Sequence, residues 1–133
     1  MEKNRTWIAF GNRKRCNHAD AIHNLGFINW RMGRQFRFAI DDIIYLFMSD
    51  ERRVRFKLVV TKANCERQDK EYWEGNAPND VTYKLELLDE YNGALLNESY
   101  LIEHGFNGGR SIETPSCNNI QLLEYINKVF NSI

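Results

Sequence analysis

Aromatic and basic side chains are concentrated within residues 27–49, and side chains of these two types can bind nucleotides together. A tryptophan, Trp30, lies there among three arginines, Arg31, Arg34 and Arg37. Aromatic faces stack on nucleobases, and guanidinium groups bind phosphates. The composition therefore indicates a nucleotide-binding surface at one end of a strand. The alternative is purely structural: a tryptophan that closes the open end of a β-barrel, with solvated arginines beside it.

Residues that commonly carry catalysis form no recognisable arrangement in this sequence. Asp41 and Asp42 are neighbours that would point to opposite faces of a strand, so we expect a turn there instead of paired acid–base carboxylates. Cys16 and His18 lack the spacing and the partners of a zinc site. The glycine pair at 108–109 lacks the lysine and the helix of a phosphate-binding loop. We therefore expect a binding domain without catalytic activity, metal or cofactor.

Four strands are predicted, at residues 6–10, 43–49, 54–63 and 81–88. These segments are rich in β-branched and aromatic residues, or they alternate between apolar and polar residues. In the third segment Arg53, Arg55 and Lys57 lie opposite the apolar residues, which predicts an antiparallel strand with one basic face in water. Residues 64–80 are predicted to form a long loop that contains Trp73.

Two longer helices are predicted to flank the strands. Asn17 is expected to cap a helix over residues 18–25, and Gly26 to end it in a left-handed conformation. The 3.6-residue spacing of apolar side chains predicts a second helix over residues 118–131. Together the elements predict an α+β fold in a single domain of 133 residues, with a mixed, mainly antiparallel barrel of about five or six strands.

The net charge of zero hides two oppositely charged halves. Residues 1–67 hold 14 Lys or Arg against 7 Asp or Glu, whereas residues 68–133 hold 4 against 11. A basic half is typical of a face that binds a polyanion such as nucleic acid. The alternative is that the two halves interleave in the fold and their charges mix.

The sequence also indicates in which cellular compartment the protein is expected. It contains no apolar run long enough to cross a bilayer, and its charged first residues lack the apolar core of a signal peptide. Three widely spaced cysteines, Cys16, Cys65 and Cys117, do not form an even disulfide framework. The reducing cytoplasm is therefore the simplest location, and no membrane partner is expected.

The order of these parts resembles the EVE and EVE-like domains of the PUA superfamily, which also includes YTH readers of methylated RNA and SRA readers of methylated DNA. The resemblance rests on an aromatic first strand ending in an Asn-containing turn, a helix, a Trp segment and a Tyr-Trp loop. It rests also on the strand DIIYLFMS, which fits D-[IV]-[IV]-x-x-[FY]-x-S. Over residues 7–130 the chain is similar in particular to the N-terminal specificity domains of bacterial McrB-type modification-dependent restriction systems.

This resemblance implies a twisted β-barrel flanked by helices, with a pocket in which a flipped, modified base lies between aromatic side chains, DNA being favoured. The candidate base-pocket residues are Trp30, Trp73, Ser49, Asn12, Trp7 and Phe47. The candidate phosphate-binding residues are Arg13, Lys14, Arg31, Arg34 and Arg53. The sequence departs from the pattern by Arg31-Met32-Gly33 after the tryptophan, and by an Asp-Asp turn where Gly-Asp is usual, so the shape of the pocket stays open.

Under this resemblance two alternatives stay open: residues 1–133 are a complete protein, or they are the N-terminal part of a larger restriction protein. An effector nuclease or NTPase would then lie in the same operon or in the same chain. Two other functions stay open. A PUA-like RNA-binding module without modification specificity would need a continuous groove in place of one deep pocket. A structural or protein-interaction domain would pack Trp30 inside and pair the arginines with the acidic half.

Overall fold

A computed structural model describes residues 4–33, 37–108 and 112–133 of the chain. Within these ranges the chain forms five strands, four α-helices and one 3₁₀ turn, at Lys70–Tyr72. The strands are β1 (Thr6–Gly11), β2 (Phe27–Arg31), β3 (Ile43–Met48), β4 (Arg53–Glu66) and β5 (Val81–Glu90). The helices are α1 (His18–Leu25), α2 (Glu98–Glu103), α3 (Pro115–Asn118) and α4 (Ile120–Asn131). No helix in the described part of the chain is long and apolar enough to span a membrane.

The strands form one curled, half-barrel sheet in the order β1-β3-β4-β5-β2. Only the β1–β3 pair in this sheet is parallel, and the other three pairs are antiparallel. The structure thus confirms the predicted α+β class with a mixed, mainly antiparallel sheet of five strands. The sheet curls without closing into a full barrel, so β1 and β2 form its two edges.

Two hydrophobic cores lie on opposite faces of β1 and β3. Alternate residues of β3 point to opposite faces, so that Ile44 and Leu46 enter the first core, which also contains Phe56 and Leu58 of β4. Tyr45 and Phe47, which point to the other face of β3, enter a second core beneath α2 and α4. Burial on both faces explains why residues 43–48 are almost wholly apolar.

The two longer helices have the predicted locations. The Asn17 side chain accepts a hydrogen bond from the Asp20 amide at 3.1 Å, and Gly26 ends α1 with φ of 81°. The last helix begins at Ile120 and not at residue 118, because the Asn119 side chain caps it by accepting from the Leu122 amide at 3.2 Å. Residues 115–118 form the separate helix α3, which has its proline in the first turn.

Two parts of the predicted organisation are wrong. Residues 27–31, which are not among the predicted strands, form β2, which pairs with β5 from Phe27–Glu86 to Arg31–Thr82. The segment expected to begin a long loop at residue 64 continues as β4 to Glu66, with bulges that let this strand bend along β5. The loop between β4 and β5 is therefore residues 67–80.

Candidate functional site

A cavity of about 280 Å³ opens beside the first turn of α1. The end of β1, the start of α1, the end of β2 and the 67–80 loop supply its walls. Its lining consists of Phe10, Asn12, Arg15, His18, Asn29, Trp30, Arg31, Arg67 and Trp73. The structure thus places Trp30 and Trp73, which are far apart in the sequence, on the same open cavity.

Trp30 is held by β2 between the cavity and the first core. Its backbone pairs with Tyr83 of β5, and its half-buried ring packs against the first core. The ring also lies beside that of His18, with centroids 5.6 Å apart and planes inclined by 36°. One part of the indole therefore contributes to packing, while another part forms the wall of the cavity.

Trp73 is held in the cavity wall by the 67–80 loop. Its indole Nε1 donates to Asp69 Oδ1 at 3.2 Å, and the guanidinium carbon of Arg67 lies 4.7 Å from its ring centroid. The backbone of Trp73 also forms an antiparallel bridge with Cys16 just before α1. These contacts hold a half-buried indole in one orientation, as a rigid binding wall requires.

Beneath both tryptophans lies a buried ionic network centred on Asp69, whose side chain is fully buried. Asp69 accepts from the Asn29 amide at 3.0 Å, from Arg67 Nη1 at 3.0 Å and from the indole of Trp73. Arg67 also donates through Nε and Nη2 to both Asp80 oxygens, at 2.9 and 3.0 Å. Asp69 thus connects β2, next to Trp30, to the loop that carries Trp73.

The charge state of Arg67 follows from this network. Burial by itself would lower the pKa of Arg67, but its hydrogen bonds to Asp80 and Asp69 favour the charged form and raise the pKa above its usual value. The guanidinium therefore remains a cation although its side chain is only 2% exposed. Sequence reasoning missed this residue, because a run of alternating charges, ERQDKE, is typical of a solvated loop.

His18 is a buried and neutral histidine at the cavity. The absence of a side chain on Gly11 gives it room, since a Cβ there would lie 3.2 Å from His18 Nδ1. In the described part of the chain Nδ1 has no hydrogen-bond partner. Burial lowers the pKa of His18 to about 4, so the imidazole is uncharged at neutral pH.

We expect this histidine to make the protein less stable in mild acid. Its folded pKa of about 4 lies below the ordinary value of 6.5. Its contribution to stability is therefore fully present above pH 6.5 and is lost as the pH falls toward 4, by up to about 1.4 kcal/mol per pH unit. Urea unfolding between pH 7.5 and 4.5 should show this slope, and His18→Gln should reduce it.

The matched control is His23→Gln, on the same helix, where an exposed imidazole lies 2.8 Å from a Glu90 carboxylate oxygen. This variant is expected to keep most of the pH dependence of the parent protein. An unchanged pH slope in His18→Gln would contradict the neutral, desolvated state of His18.

Asn12 separates the cavity from a second, wider depression of about 610 Å³ and lines both. Its side-chain oxygen accepts from the Lys14 amide at 3.0 Å, which fixes the turn after β1. The second depression is lined by Phe10, Asn12, Arg13, Lys14, Ser49, Asp50 and Arg52. Ser49 therefore lies with Arg13 and Lys14, and not in the cavity between the tryptophans.

Trp7 and Phe47, two of the candidate base-pocket residues, lie in the cores and do not line the cavity. Trp7 is 5% exposed, and its indole donates to Asp42 Oδ2 at 2.9 Å. Phe47 is fully buried in the second core, because the alternation of β3 turns it away from the first core. Asp42 also accepts from two backbone amides, those of Arg5 and Ala39, which confirms that the Asp-Asp pair forms a turn.

The candidate phosphate-binding residues are dispersed. Arg31 is exposed at the rim of the cavity with Arg15, and neither forms an ion pair with another described residue. Arg53, by contrast, is half-buried and pairs with Glu51 at 2.6 Å. Arg34 lies outside the described residues.

The two oppositely charged halves of the sequence interleave in the fold. Arginines of the first half pair with carboxylates of the second half: Arg13 with Glu74, Arg52 with Glu98, Arg55 with Glu90 and Arg67 with Asp80. The expected continuous basic face is thereby reduced. What remains at the cavity rim is a pair of cations, Arg15 and Arg31, and next to it Lys14 in the second depression.

No family model matches the sequence, and no curated protein matches it. Solved structures of ASCH proteins have the same fold. A point variant of ASCH from Zymomonas mobilis is 14% identical, with a TM-score of 0.60 over 94% of this chain and 98% of that chain. The ASCH protein itself is 14% identical, with a TM-score of 0.55 over 92% and 95% of the two chains. Protein Atu2648 from Agrobacterium tumefaciens is 12% identical, with a TM-score of 0.56 over 93% and 92%.

These similarities define the class of the fold: the chain has the fold of the solved ASCH structures. They extend over nearly the whole length of this chain and of each solved structure. At 12 to 14% identity they show the fold alone.

Proposed function

We propose that this protein binds nucleic acid by inserting one base into the cavity between Trp30 and Trp73. The observation that carries the proposal is that two indoles, distant in sequence, line one open cavity with free arginines at its rim. At about 280 Å³ the cavity lies at the lower end of ligand-pocket volumes, which suits one flat ring system better than a larger ligand. The ASCH-type fold is compatible with this function.

The free energy of such binding comes from two sources. Stacking on an aromatic side chain contributes about 1 to 3 kcal/mol per base, which offsets the few kcal/mol that extrusion from a helix costs. Arg15 and Arg31 lie where a sugar-phosphate backbone would leave the cavity, and phosphate contacts there add affinity that weakens with salt. Single strands, in which no base pair must be broken, are therefore the preferred ligands.

The finer part of the proposal is a preference for a methylated base, with DNA favoured over RNA, as in EVE-like specificity domains. A methyl group buried against an indole adds about 1 kcal/mol, which is roughly a fivefold gain in affinity. An effector nuclease or NTPase would then act on the bound nucleic acid from the same chain or operon.

We also propose that the domain binds without catalysing a reaction. Asp69, the carboxylate beneath the cavity, already accepts hydrogen bonds from three donors, so it is poorly placed to remove a proton from a ligand. His18 has a pKa of about 4 and is therefore a weak general base at neutral pH.

One observation favours a second candidate, an RNA-binding module without modification specificity. The cavity and the second depression share Phe10 and Asn12 in their linings. A strand that leaves the cavity past Asn12 would therefore reach the second depression and could be bound beyond one base.

The test uses nine-nucleotide single strands in which abasic units surround one central base. A strand with a central cytosine is expected to bind at least fivefold more tightly than an all-abasic strand, and 5-methylcytosine about fivefold more tightly again. Fluorescence anisotropy on DNA and RNA versions at fixed salt would measure these differences. Equal affinity for the cytosine and all-abasic strands would refute base insertion, whereas equal affinity for methylated and unmodified cytosine would favour the second candidate.

A further inference from the structure

Arg67, which lines the cavity, has one N–H group that the described residues leave unused. A guanidinium carries five N–H groups. Two of these, on Nε and Nη2, donate to Asp80. Two more, both on Nη1, donate to the Asn29 carbonyl at 3.1 Å and to Asp69 at 3.0 Å. The second hydrogen on Nη2 is the fifth, and none of the hydrogen bonds in residues 4–33, 37–108 and 112–133 uses it.

The planarity of the guanidinium sets the direction of this remaining hydrogen. Asp80 occupies the side formed by Nε and Nη2, so the unused Nη2 hydrogen points off the far end, in the plane of the group. Arg67 lines the cavity, and Trp73 covers one face of the guanidinium. A charged donor is thus held rigidly in a nearly dry wall, where the lack of an acceptor is costly.

A second polar group of the same wall also lacks a partner among the described residues. His18 is 7% exposed, lines the cavity and leaves Nδ1 without a hydrogen bond. A neutral imidazole offers one donor and one acceptor. The wall of the cavity therefore offers buried hydrogen-bonding groups to a ligand, in addition to aromatic rings.

We propose that Arg67 selects the inserted base by donating its unused N–H to a carbonyl oxygen on the inner edge of that base. The preferred ligands are then the oxo-bases cytosine, thymine, uracil and guanine. A carbonyl oxygen projects beyond the ring and carries two lone pairs, so it can reach the guanidinium. Adenine has an exocyclic amino group in place of this oxygen, and that group would turn N–H donors toward a cation. The inference rests on base insertion, the proposed function.

The test changes the ligand and not the protein, because substitution of Arg67 would break the buried network. The probes are three nine-nucleotide DNA strands of abasic units, whose central position carries thymine, 2,4-difluorotoluene or a further abasic unit. Difluorotoluene has the shape and stacking surface of thymine, but fluorine replaces both carbonyl oxygens and C–H replaces the ring N3–H. We expect it to bind about tenfold to a hundredfold more weakly than thymine, as the loss of a hydrogen bond from a charged donor predicts.

The three strands separate failure of this inference from failure of the proposed function. Tighter binding of thymine than of difluorotoluene, with the abasic strand weaker still or equal to difluorotoluene, supports selection by Arg67. Equal affinity for thymine and difluorotoluene, both above the abasic strand, overturns that selection and leaves base insertion standing. Equal affinity for all three strands overturns base insertion and the inference with it.

Discussion

Replacing Trp73 by Ala is expected to weaken binding of a strand with one central base by about 1 to 3 kcal/mol, which is roughly fivefold to 150-fold. The indole is half-buried, and it forms one wall of the cavity. Its removal takes away a stacking surface and little of either core. Affinity for the all-abasic strand should therefore stay the same, and anisotropy titrations of both strands would show the difference.

Trp7 provides the matched control, because it is a tryptophan buried in the first core. Trp7→Ala should cost about 3 to 5 kcal/mol of unfolding free energy, as large-to-small changes in a core do, whereas Trp73→Ala should cost clearly less. Trp30→Ala is expected to lie between the two, since Trp30 both packs on the core and lines the cavity. An unchanged affinity of Trp73→Ala for the base-containing strand would show that its ring is not part of the binding surface.

Replacing Asp69 by Ala is expected to lower the unfolding free energy by about 3 kcal/mol or more. The change leaves the Asn29 amide and one donor of Arg67 without an acceptor in a buried position. It also releases the indole of Trp73. Chemical denaturation would measure the loss of stability.

Glu74 supplies the control for Asp69, because it pairs with Arg13 at 2.9 Å in the same region but on the surface. Glu74→Gln should change stability by no more than about 1 kcal/mol, the usual range for exposed ion pairs. Equal losses of unfolding free energy in the two variants would mean that the Asp69 network stabilises the fold no more than an exposed ion pair does.

The parts of the fold that the sequence predicts are those with a clear local pattern. Residues 53–58 alternate strictly between polar and apolar side chains, and Asn17 and Gly26 mark both ends of α1, so these elements lie where they were expected. The strand at 27–31 has no such pattern. Its five residues become a strand only because β5 offers them an edge to pair with, and that edge is formed by residues more than 50 positions later.

The candidate site was predictable to a similar extent. Residue type and position drew attention to Trp30 and Trp73, because tryptophans beside arginines or within polar loops are uncommon. His18 and Arg67 could not be identified in the same way. Their significance depends on burial, and burial depends on contacts with distant residues such as Asp80 and Gly11. In the sequence alone both residues are indistinguishable from solvated polar side chains.

The open side of the half-barrel affects the width of the cavity. The two edge strands, β1 and β2, follow each other along the chain through α1 but share no hydrogen bonds in the sheet. The cavity takes side chains from both edges, with Phe10 on β1 and Trp30 on β2. Its width therefore depends on how strongly the intervening strands curve, and the register shifts between β4 and β5 are irregularities at which β4 can bend. The size of ligand that the site accepts is thus encoded partly in the bend of β4, a strand whose own segment, Arg53–Glu66, contributes no residue to the cavity lining.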